Sequence, residues 1–365
     1  MKAGRVVFAI PGDIATPSGG YGYDRRLIAE LVALGWQVDH LALPGGFPTP
    51  DEGDLESTRE AFAKIDDGCV VLVDGLAFGA MPQIAAAESE RLRLVALVHH
   101  PLCLETGLDA DARARLELSE REALRWSRAV VVTSKATGET LASDFGVPDK
   151  QLTVAPPGTD KPARSDRGVA RRSGHEAGNE GANGGPMILS IGTLIARKDH
   201  ATLVAGLAHV SDLDWCCRIV GSKTADPQTV EALERQIAEL GLDGRVVLVG
   251  ALADVSADYD TADLFVLASR YEGYGMVFAE AMAHGLPIIF CSEGAPRELI
   301  PPAAGERFSP GDARDLGARL RMLLTDRDRR AGAARASFEA GRALPGWDDT
   351  AFIVATTLAA LEEVA

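Results

Sequence analysis

Basic residues are scarce in this 365-residue chain, which has 37 lysines and arginines, 53 aspartates and glutamates and a formal net charge of −16. Nucleic-acid binders need a basic surface to neutralise phosphates, so this balance argues against nucleic acid as a partner. The negative net charge also argues against strong attraction to anionic lipid. Peripheral contact between a local patch and a membrane is still compatible with this charge.

Cysteine is also rare. The five cysteines are odd in number, two of them are adjacent, and no C-x-x-C pair occurs. This usage excludes a disulfide scaffold and predicts reduced, mostly buried thiols in a cytoplasmic protein. The cysteines are Cys69, Cys103, Cys216, Cys217 and Cys291.

Long apolar runs are missing. No stretch approaches the roughly 20 apolar residues that a membrane-spanning helix needs, so no membrane span is predicted. The apolar run at the N-terminus, Val6–Ile10, stops at Pro11. A run this short predicts a β-strand rather than a signal peptide.

Short β-rich runs alternate with helical patterns along the whole chain, which is typical of α/β folds with parallel sheets. Since domains usually contain about 100–200 residues, the length favours two of them. The strands predicted in the first half are 5–10, 37–41, 69–73, 94–98, 129–133 and 152–155. Those predicted in the second half are 187–191, 216–220, 246–249, 264–268 and 287–290.

The composition changes near the middle of the chain. Residues 161–186 are rich in glycine, arginine, serine and asparagine and contain almost no large apolar residues. This composition predicts a flexible linker between two domains. The predicted organisation is an N-terminal domain at 1–160, the linker, a C-terminal domain at 187–347, and a terminal helix at 348–365.

One segment has the pattern of a strand, a glycine-rich loop and a helix. Residues 271–287 read YEGYGMVFAEAMAHGLP and directly follow an apolar strand. Gly273 and Gly275 allow a tight turn, and the helix is expected to open near Met276 and to end at Gly285. The N-terminus of such a helix, at the carboxyl end of a strand, can bind an anion.

This segment resembles the hallmark of the family 4 retaining glycosyltransferases of the GT-B fold, in which two glutamates flank seven residues. Glu272 and Glu280 occupy these positions. The resemblance implies that Glu272 orients the donor sugar and that Glu280 accepts hydrogen bonds from the ribose of the donor nucleotide. It also implies that the backbone N–H groups of Gly275, Met276 and Val277 face the donor diphosphate.

The resemblance further implies an architecture. Two Rossmann-like domains would face each other across a cleft, with the acceptor bound by the N-terminal domain and the donor by the C-terminal domain. The terminal helix would cross back to the N-terminal domain.

A basic pair lies in residues 191–200, which read IGTLIARKDH and follow the first strand of the second half. The family carries such a pair for the donor diphosphate, and Arg197 and Lys198 match it. Positive charge is needed there because the leaving diphosphate gains charge in the transition state. Many members have an arginine directly after the glycine, whereas this chain has Thr193.

Two histidines end an apolar strand in residues 94–101, LVALVHHP. In the family a histidine at this position lies under the donor sugar, and His99 is the better match because it follows the strand directly. Adjacent residues on a strand point in opposite directions, so only one of His99 and His100 is expected to serve this role.

No metal is predicted. The histidines lack partners with zinc spacing. Two D-x-D patterns exist, Asp109 with Asp111 and Asp258 with Asp260, but neither sits at a strand end suited to a metal-bound diphosphate.

Glycines after the first strand also match the family, in which a Gly-Gly loop approaches the donor phosphates. Gly19 and Gly20 occupy these positions, and the backbone at Val249 resembles the segment that reads the nucleobase. Residues that follow the glycines and could line an acceptor pocket are Tyr21, Tyr23, Asp24 and Arg25.

The resemblance as a whole implies a retaining, metal-independent hexosyltransferase without a cofactor. The donor would be GDP-mannose or a UDP-hexose, and the acceptor hydroxyl would belong to a sugar, a lipid-linked sugar or a small molecule. Two alternatives remain: a GT-B sugar-nucleotide epimerase, and a dinucleotide-dependent oxidoreductase or silent binding protein. The loop after the first strand lacks G-x-G-x-x-G, which counts against the oxidoreductase.

Overall fold

A computed structural model of the protein describes residues 4–105, 107–162 and 185–362. They form two compact units. The first consists of Met1–Gly158 together with Pro345–Ala365, and the second of Thr159–Leu344. Of the linker predicted at 161–186, residues 163–184 lie outside the described residues.

The first unit is built on a six-stranded parallel sheet with the order β2-β1-β3-β4-β5-β6. Most of its strands are apolar along their whole length, because helices cover both faces of a parallel sheet. The strands are β1 (Arg5–Pro11), β2 (Gln37–Leu43), β3 (Val70–Asp74), β4 (Arg93–Val98), β5 (Ala129–Val132) and β6 (Leu152–Val154). Strand β1 lies between β2 and β3, with Phe8 opposite His40 on one side and Leu72 on the other.

Helices follow the strands of this sheet. Helix α1 begins after Ser18, whose side chain accepts a hydrogen bond from the Tyr21 amide and thereby caps the helix. The helices are α1 (Gly19–Ala33), α2 (Glu52–Phe62), α3 (Gly75–Phe78), α4 (Pro82–Glu88), α5 (Ala110–Leu124) and α6 (Lys135–Phe145).

The second unit repeats this architecture with a parallel sheet of the order β14-β12-β10-β7-β8-β9. Its strands are β7 (Met187–Ile191), β8 (Cys216–Val220), β9 (Val246–Gly250), β10 (Leu264–Leu267), β12 (Ile288–Phe290) and β14 (Gly305–Arg307). A separate two-stranded sheet is formed by β11 (Tyr271–Glu272) and β13 (Glu293–Gly294).

The helices of the second unit pack on both faces of its sheet and bury two apolar clusters. They are α7 (His200–Ala208), α8 (Pro227–Glu239), α9 (Ser256–Thr261), α10 (Met276–Ala283), α11 (Pro296–Leu299), α12 (Ala313–Thr325) and α13 (Arg327–Ala343). Across the described ranges, the chain contains no helix with the length and apolar character required to cross a membrane.

The α/β class and the parallel sheets predicted from the sequence are confirmed. All the predicted strands are present, with ends that differ by at most two residues. The sequence analysis missed β14, β11 and β13. Strand β14 is a three-residue edge strand, Gly-Glu-Arg, whose polar composition carries no strand pattern. The other two contain only two residues each.

The last helix, α14 (Trp347–Glu362), packs on the first unit although it follows the second in sequence. The Thr350 hydroxyl donates to the Pro156 carbonyl at 2.7 Å. The ring of Trp347 is 6% exposed and lies edge-on to Tyr23, with 5.6 Å between the ring centroids. The Arg26 guanidinium lies 5.2 Å from the centre of the Trp347 ring.

We expect Trp347→Ala to destabilise the first unit by about 3–5 kcal/mol, because it empties a buried aromatic site. Hydrogen–deuterium exchange at the amides of α1 reports on this unit separately from the second. Phe352→Ala on the same helix is the control, since the side chain of Phe352 is 57% exposed. Equal protection of α1 in both variants would contradict the proposed anchoring by Trp347.

Candidate active site

The second unit holds a buried carboxylate at the carboxyl edge of its sheet. Glu272 belongs to β11, shortly after β10 ends, and only 7% of the residue is exposed. The backbone of Tyr271 and Glu272 pairs with Glu293 and Gly294 of β13, which fixes the loop that carries the carboxylate.

Two basic residues converge on this carboxylate. Lys198 Nζ donates to Glu272 Oε1 at 2.6 Å, and Arg197 Nη1 lies 3.6 Å from Oε2. Arg197 Nη1 also donates to the Tyr271 carbonyl at 2.9 Å. The basic pair follows β7, which is hydrogen-bonded to β10, and the carboxyl ends of parallel neighbours meet at one edge of the sheet.

The charge of Glu272 is set by two opposing effects. Burial acts to raise the pKa of its carboxyl group, but the positive charges of Lys198 and Arg197 outweigh burial and hold the pKa below its ordinary value. Glu272 is therefore ionised at neutral pH, and its oxygens act only as hydrogen-bond acceptors.

Gly192 allows Lys198 to reach the carboxylate. A methyl group at Gly192 would lie 3.2 Å from Lys198 Cδ, so the lysine stem runs along a surface where no side chain fits easily. Thr193, at the family's arginine position, follows this glycine. The loop is fixed further by the Arg270 amide, which donates to the Arg197 carbonyl at 3.1 Å.

Helix α10 begins at Met276, as the sequence predicts. Its N-cap is Gly275, which has φ of 86°, a left-handed conformation that favours glycine, and which offers no capping side chain. A methyl group at Gly275 would lie 2.7 Å from a ring carbon of Phe278. The backbone N–H groups of Met276 and Val277 thus belong to a first helical turn without a side-chain cap, which is the arrangement that binds anions.

Glu280 lies one turn further along α10 and is held by a tyrosine. Tyr259 Oη donates to Glu280 Oε2 at 2.7 Å and also lies 3.2 Å from the Val277 carbonyl. Burial raises the pKa of Glu280, and the hydrogen bond from Tyr259 partly offsets this effect. The Tyr259 ring stacks on His284 with 5.0 Å between centroids, and His284 Nδ1 lies 2.8 Å from Asp260 Oδ1.

A second cluster lies in the first unit. His99 follows β4, and its Nε2 lies 3.4 Å from Asp24 Oδ1 and 3.4 Å from Asp74 Oδ2. Burial acts to lower the pKa of His99, but the two carboxyl groups outweigh burial and raise the pKa to about 10. Burial, together with the nearby Asp74 carboxylate, raises the pKa of Asp24 to about 7.

The structure separates the two adjacent histidines. His100 Nε2 lies 3.2 Å from Glu105 Oε2, whereas the ring of His99 packs edge-on against Tyr23. Gly19 and Gly20 are the first residues of α1, and a methyl group at Gly20 would lie 3.3 Å from a carbon of the His99 ring. The glycine loop and His99 are thus neighbours.

Asp109, Asp258 and Val249 have the following contacts among the described residues. Asp109 caps α5 through the Ala112 amide at 2.7 Å. Asp258 pairs with Arg218 at 2.8 Å. Val249 lies on β9 and packs against the apolar cluster that contains Tyr259.

Sequence reasoning missed the partners of these residues. Asp74 was not a candidate, although it ends an apolar strand as His99 does, and Asp24 was considered only for an acceptor pocket. Finding these partners requires knowing that β3 and β4 are neighbours and that Asp24, in the second turn of α1, lies 3.4 Å from His99. Tyr259 was missed because its helix, α9, has only six residues and lies before β10 in sequence.

Comparison with known proteins identifies two family matches. The family described as "Glycosyltransferase Family 4" matches residues 70–161, and "Glycosyl transferases group 1" matches residues 175–339. Together the two matches cover most of the chain. The chain belongs to glycosyltransferase family 4.

Relatives agree with this assignment. The mannosylfructose-phosphate synthase of Agrobacterium fabrum is 30% identical over 203 residues, which cover 52% of this chain and 43% of the relative. The chain thus spans less than half the length of that relative.

Solved structures show the GT-B fold. The sucrose-phosphate synthase of Thermosynechococcus elongatus superposes with a TM-score of 0.81 at 21% identity, over the whole of both chains. HepE of Anabaena, solved in complex with UDP-glucose, superposes with a TM-score of 0.74 at 18% identity, over 98% of this chain and 99% of HepE. The predicted GT-B architecture of this chain is therefore confirmed at the level of the fold.

We expect Lys198→Met to destabilise the second unit of the glycosyltransferase by about 3 kcal/mol, because it leaves the Glu272 carboxylate buried with half its compensation removed. The double variant Lys198→Met, Glu272→Gln should cost at least about 1 kcal/mol less than the sum of the two single variants. Urea unfolding of the four proteins measures this coupling. Additive effects would show that the 2.6 Å contact carries no net interaction energy.

Proposed function

We propose that the protein is a nucleotide-sugar-dependent glycosyltransferase that moves a hexose to an acceptor hydroxyl with retention of anomeric configuration. The observation that carries this proposal is the buried Glu272 carboxylate, held by Lys198 and Arg197 in the loop before the N-terminus of α10. Cations, an acceptor-only carboxylate and uncapped helix N–H groups are the three elements that recognise the diphosphate and hydroxyls of a nucleotide sugar.

The diphosphate would bind the basic pair and the first turn of α10. An ammonium has three N–H donors, and the bond to Glu272 uses only one of those on Lys198. Because the leaving diphosphate gains negative charge, fixed cations and helix N–H groups stabilise the transition state more than the ground state. This set of donors is the basis for proposing that no divalent metal is required.

The sugar and ribose would be held by carboxylates. Glu272 accepts hydrogen bonds from vicinal hydroxyls of the hexose and fixes its anomeric carbon. Glu280, oriented by the 2.7 Å bond from Tyr259, accepts from the ribose hydroxyls. We propose that His99 donates a hydrogen bond to the hexose.

The chemical step exchanges one bond at the anomeric carbon. The bond from that carbon to the diphosphate oxygen breaks, and a bond to the acceptor oxygen forms on the same face. The acceptor's proton passes to the leaving diphosphate oxygen, so atoms and charge balance without a protein base.

Similar proteins suggest the class of donor. One relative is a mannosylfructose-phosphate synthase, and one similar structure holds UDP-glucose. We therefore propose GDP-mannose or a UDP-hexose as donor, and a sugar, a lipid-linked sugar or a small molecule as acceptor. The five cysteines are free thiols, which supports a reducing compartment such as the cytoplasm.

The donor class is tested by thermal shift with GDP-mannose, UDP-glucose and ADP-glucose, followed by transfer assays with the stabilising donor. A donor present at 100 times its Kd should stabilise the protein by about 2.7 kcal/mol. Transfer and donor hydrolysis should both persist in EDTA.

The corresponding nucleoside monophosphates are the control, since they lack the diphosphate that the basic pair is proposed to bind. Isomerised donor without transfer would indicate an epimerase instead. Loss of activity in EDTA that manganese restores would contradict the metal-independent mechanism.

Alanine substitutions of the two glutamates should change different kinetic constants. Glu280→Ala should mainly raise KM for the donor, because ribose contacts are similar in the ground and transition states. Glu272→Ala should mainly lower kcat, because this carboxylate orients the reacting sugar. Steady-state kinetics with one donor measure both, and Glu298→Ala, at an exposed position in α11, serves as the control. The same kinetic signature in both variants would contradict the division of roles.

A further inference from the structure

The cluster of Asp24, Asp74 and His99 contains more buried acid than a structural role requires. Asp24 is 0% and Asp74 1% exposed. Asp74 caps α3 with its Oδ1, which accepts from the Leu76 amide at 2.8 Å. Neither oxygen of Asp24 accepts a hydrogen bond of ordinary geometry from the described residues.

Burying a carboxylate without compensation is strongly unfavourable, so the cluster must hold protons or cations. The imidazole of His99 lies at the same 3.4 Å from both carboxyl groups and uses one ring nitrogen, Nε2, for both contacts. With the same number of protons the cluster can hold three neutral groups, or an imidazolium beside one carboxylate and one neutral carboxyl group, and the contacts of Nε2 with both carboxyl groups favour the ion pair.

The surroundings keep this cluster in place. The ring of Tyr23 packs edge-on against His99, and its hydroxyl donates to the Ala155 carbonyl at 3.0 Å. The Thr133 hydroxyl donates to the His99 carbonyl at 3.1 Å. The other titratable groups that face the cluster are the Tyr21 phenol and, next to it, Asp13. Tyr21 is fixed by a 2.7 Å bond to the Pro11 carbonyl.

The contact of Nε2 with two carboxyl groups determines whether the other ring nitrogen, Nδ1, is a hydrogen-bond donor or an acceptor. A neutral imidazole that donates from Nε2 has an acceptor at Nδ1, whereas an imidazolium has a donor at both nitrogens. About a fifth of the His99 side chain, 19%, is exposed. With Nε2 directed at the carboxyl pair, Nδ1 is a donor with positive charge only while the ring is an imidazolium.

We propose that Asp24 and Asp74 are positioning residues that hold His99 as an imidazolium, with Nε2 turned toward the carboxyl pair, so that His99 acts only as a charged hydrogen-bond donor to the nucleotide sugar. The role of His99 toward the sugar rests on the proposed function. The protonation and orientation of the ring do not, and they can be measured separately.

The first test uses the wild-type protein. Long-range ¹H–¹⁵N correlation spectra of histidine-labelled protein at pH 7.5 should show both ring nitrogens of His99 protonated, with the signals assigned by their absence in His99→Gln. A neutral ring at pH 7.5 would overturn the proposal. Stoichiometric zinc or manganese that is bound to the wild-type protein but lost in Asp24→Asn would also overturn it, because the carboxyl groups would then be metal ligands.

The second test uses the isosteric variants Asp24→Asn and Asp74→Asn. Loss of one carboxyl group lowers the pKa of His99, and the ring is protonated only below its pKa. The kcat/KM of each variant should therefore fall about tenfold below wild type at pH 8.5 and recover in part at pH 6.5, as expected for a charged hydrogen bond. Asp39→Asn is the control, since Asp39 pairs with Arg5 on the neighbouring part of the sheet.

The outcomes separate the two proposals. If His99→Gln keeps wild-type kcat/KM, the proposed contact of His99 with the donor fails. If His99→Gln loses activity while both asparagine variants keep the wild-type pH profile, the positioning role of the carboxyl pair fails and the proposed function stands. Circular dichroism of each variant confirms that the comparison is made between folded proteins.

Discussion

The compensation of buried negative charge is the constraint on which both candidate clusters of this protein depend. Glu272, Asp24 and Asp74 are at or below 7% exposure and Glu280 is partly buried, so water solvates these carboxyl groups poorly. Each therefore needs a cation, a proton or a strong hydrogen-bond donor close by. The chain meets this need in three ways: Glu272 has two cations, Glu280 has a phenol, and Asp24 and Asp74 share an imidazole.

These solutions give the carboxyl groups different chemical characters. Glu272 stays ionised because cations from a neighbouring strand end outweigh its burial, so its oxygens accept hydrogen bonds at neutral pH. Burial raises the pKa of Glu280, and the hydrogen bond from the Tyr259 phenol partly offsets this effect. In the first unit, Asp24 and Asp74 raise the pKa of the His99 imidazole that lies close to both of them. Similar sheets thus carry clusters of different charge, an ionised carboxylate in one unit and a basic imidazole in the other.

Much of this could be predicted from the sequence because the pattern is local. Buried parallel strands can be recognised because they are continuous apolar runs. Glycine spacing and chain order likewise predict the loop from Glu272 to Gly275 and the start of the helix at Met276. The partners could not be predicted because they come from distant segments. Asp74 meets His99 through strand order, and Tyr259 reaches Glu280 from a six-residue helix. Strand β14 was missed because a polar three-residue edge has no hydrophobic alternation.

The return of the last helix to the first unit has a consequence for synthesis on the ribosome. Chains usually fold domain by domain from the N-terminus as they emerge. Here the first unit cannot be completed early, because α14 and its Trp347 are synthesised only after the whole of the second unit. Until then the ring of Tyr23 lacks its aromatic neighbour, and an apolar surface on α1 stays exposed to solvent and to chaperones. The unit synthesised second is therefore the first whose whole sequence is available for folding.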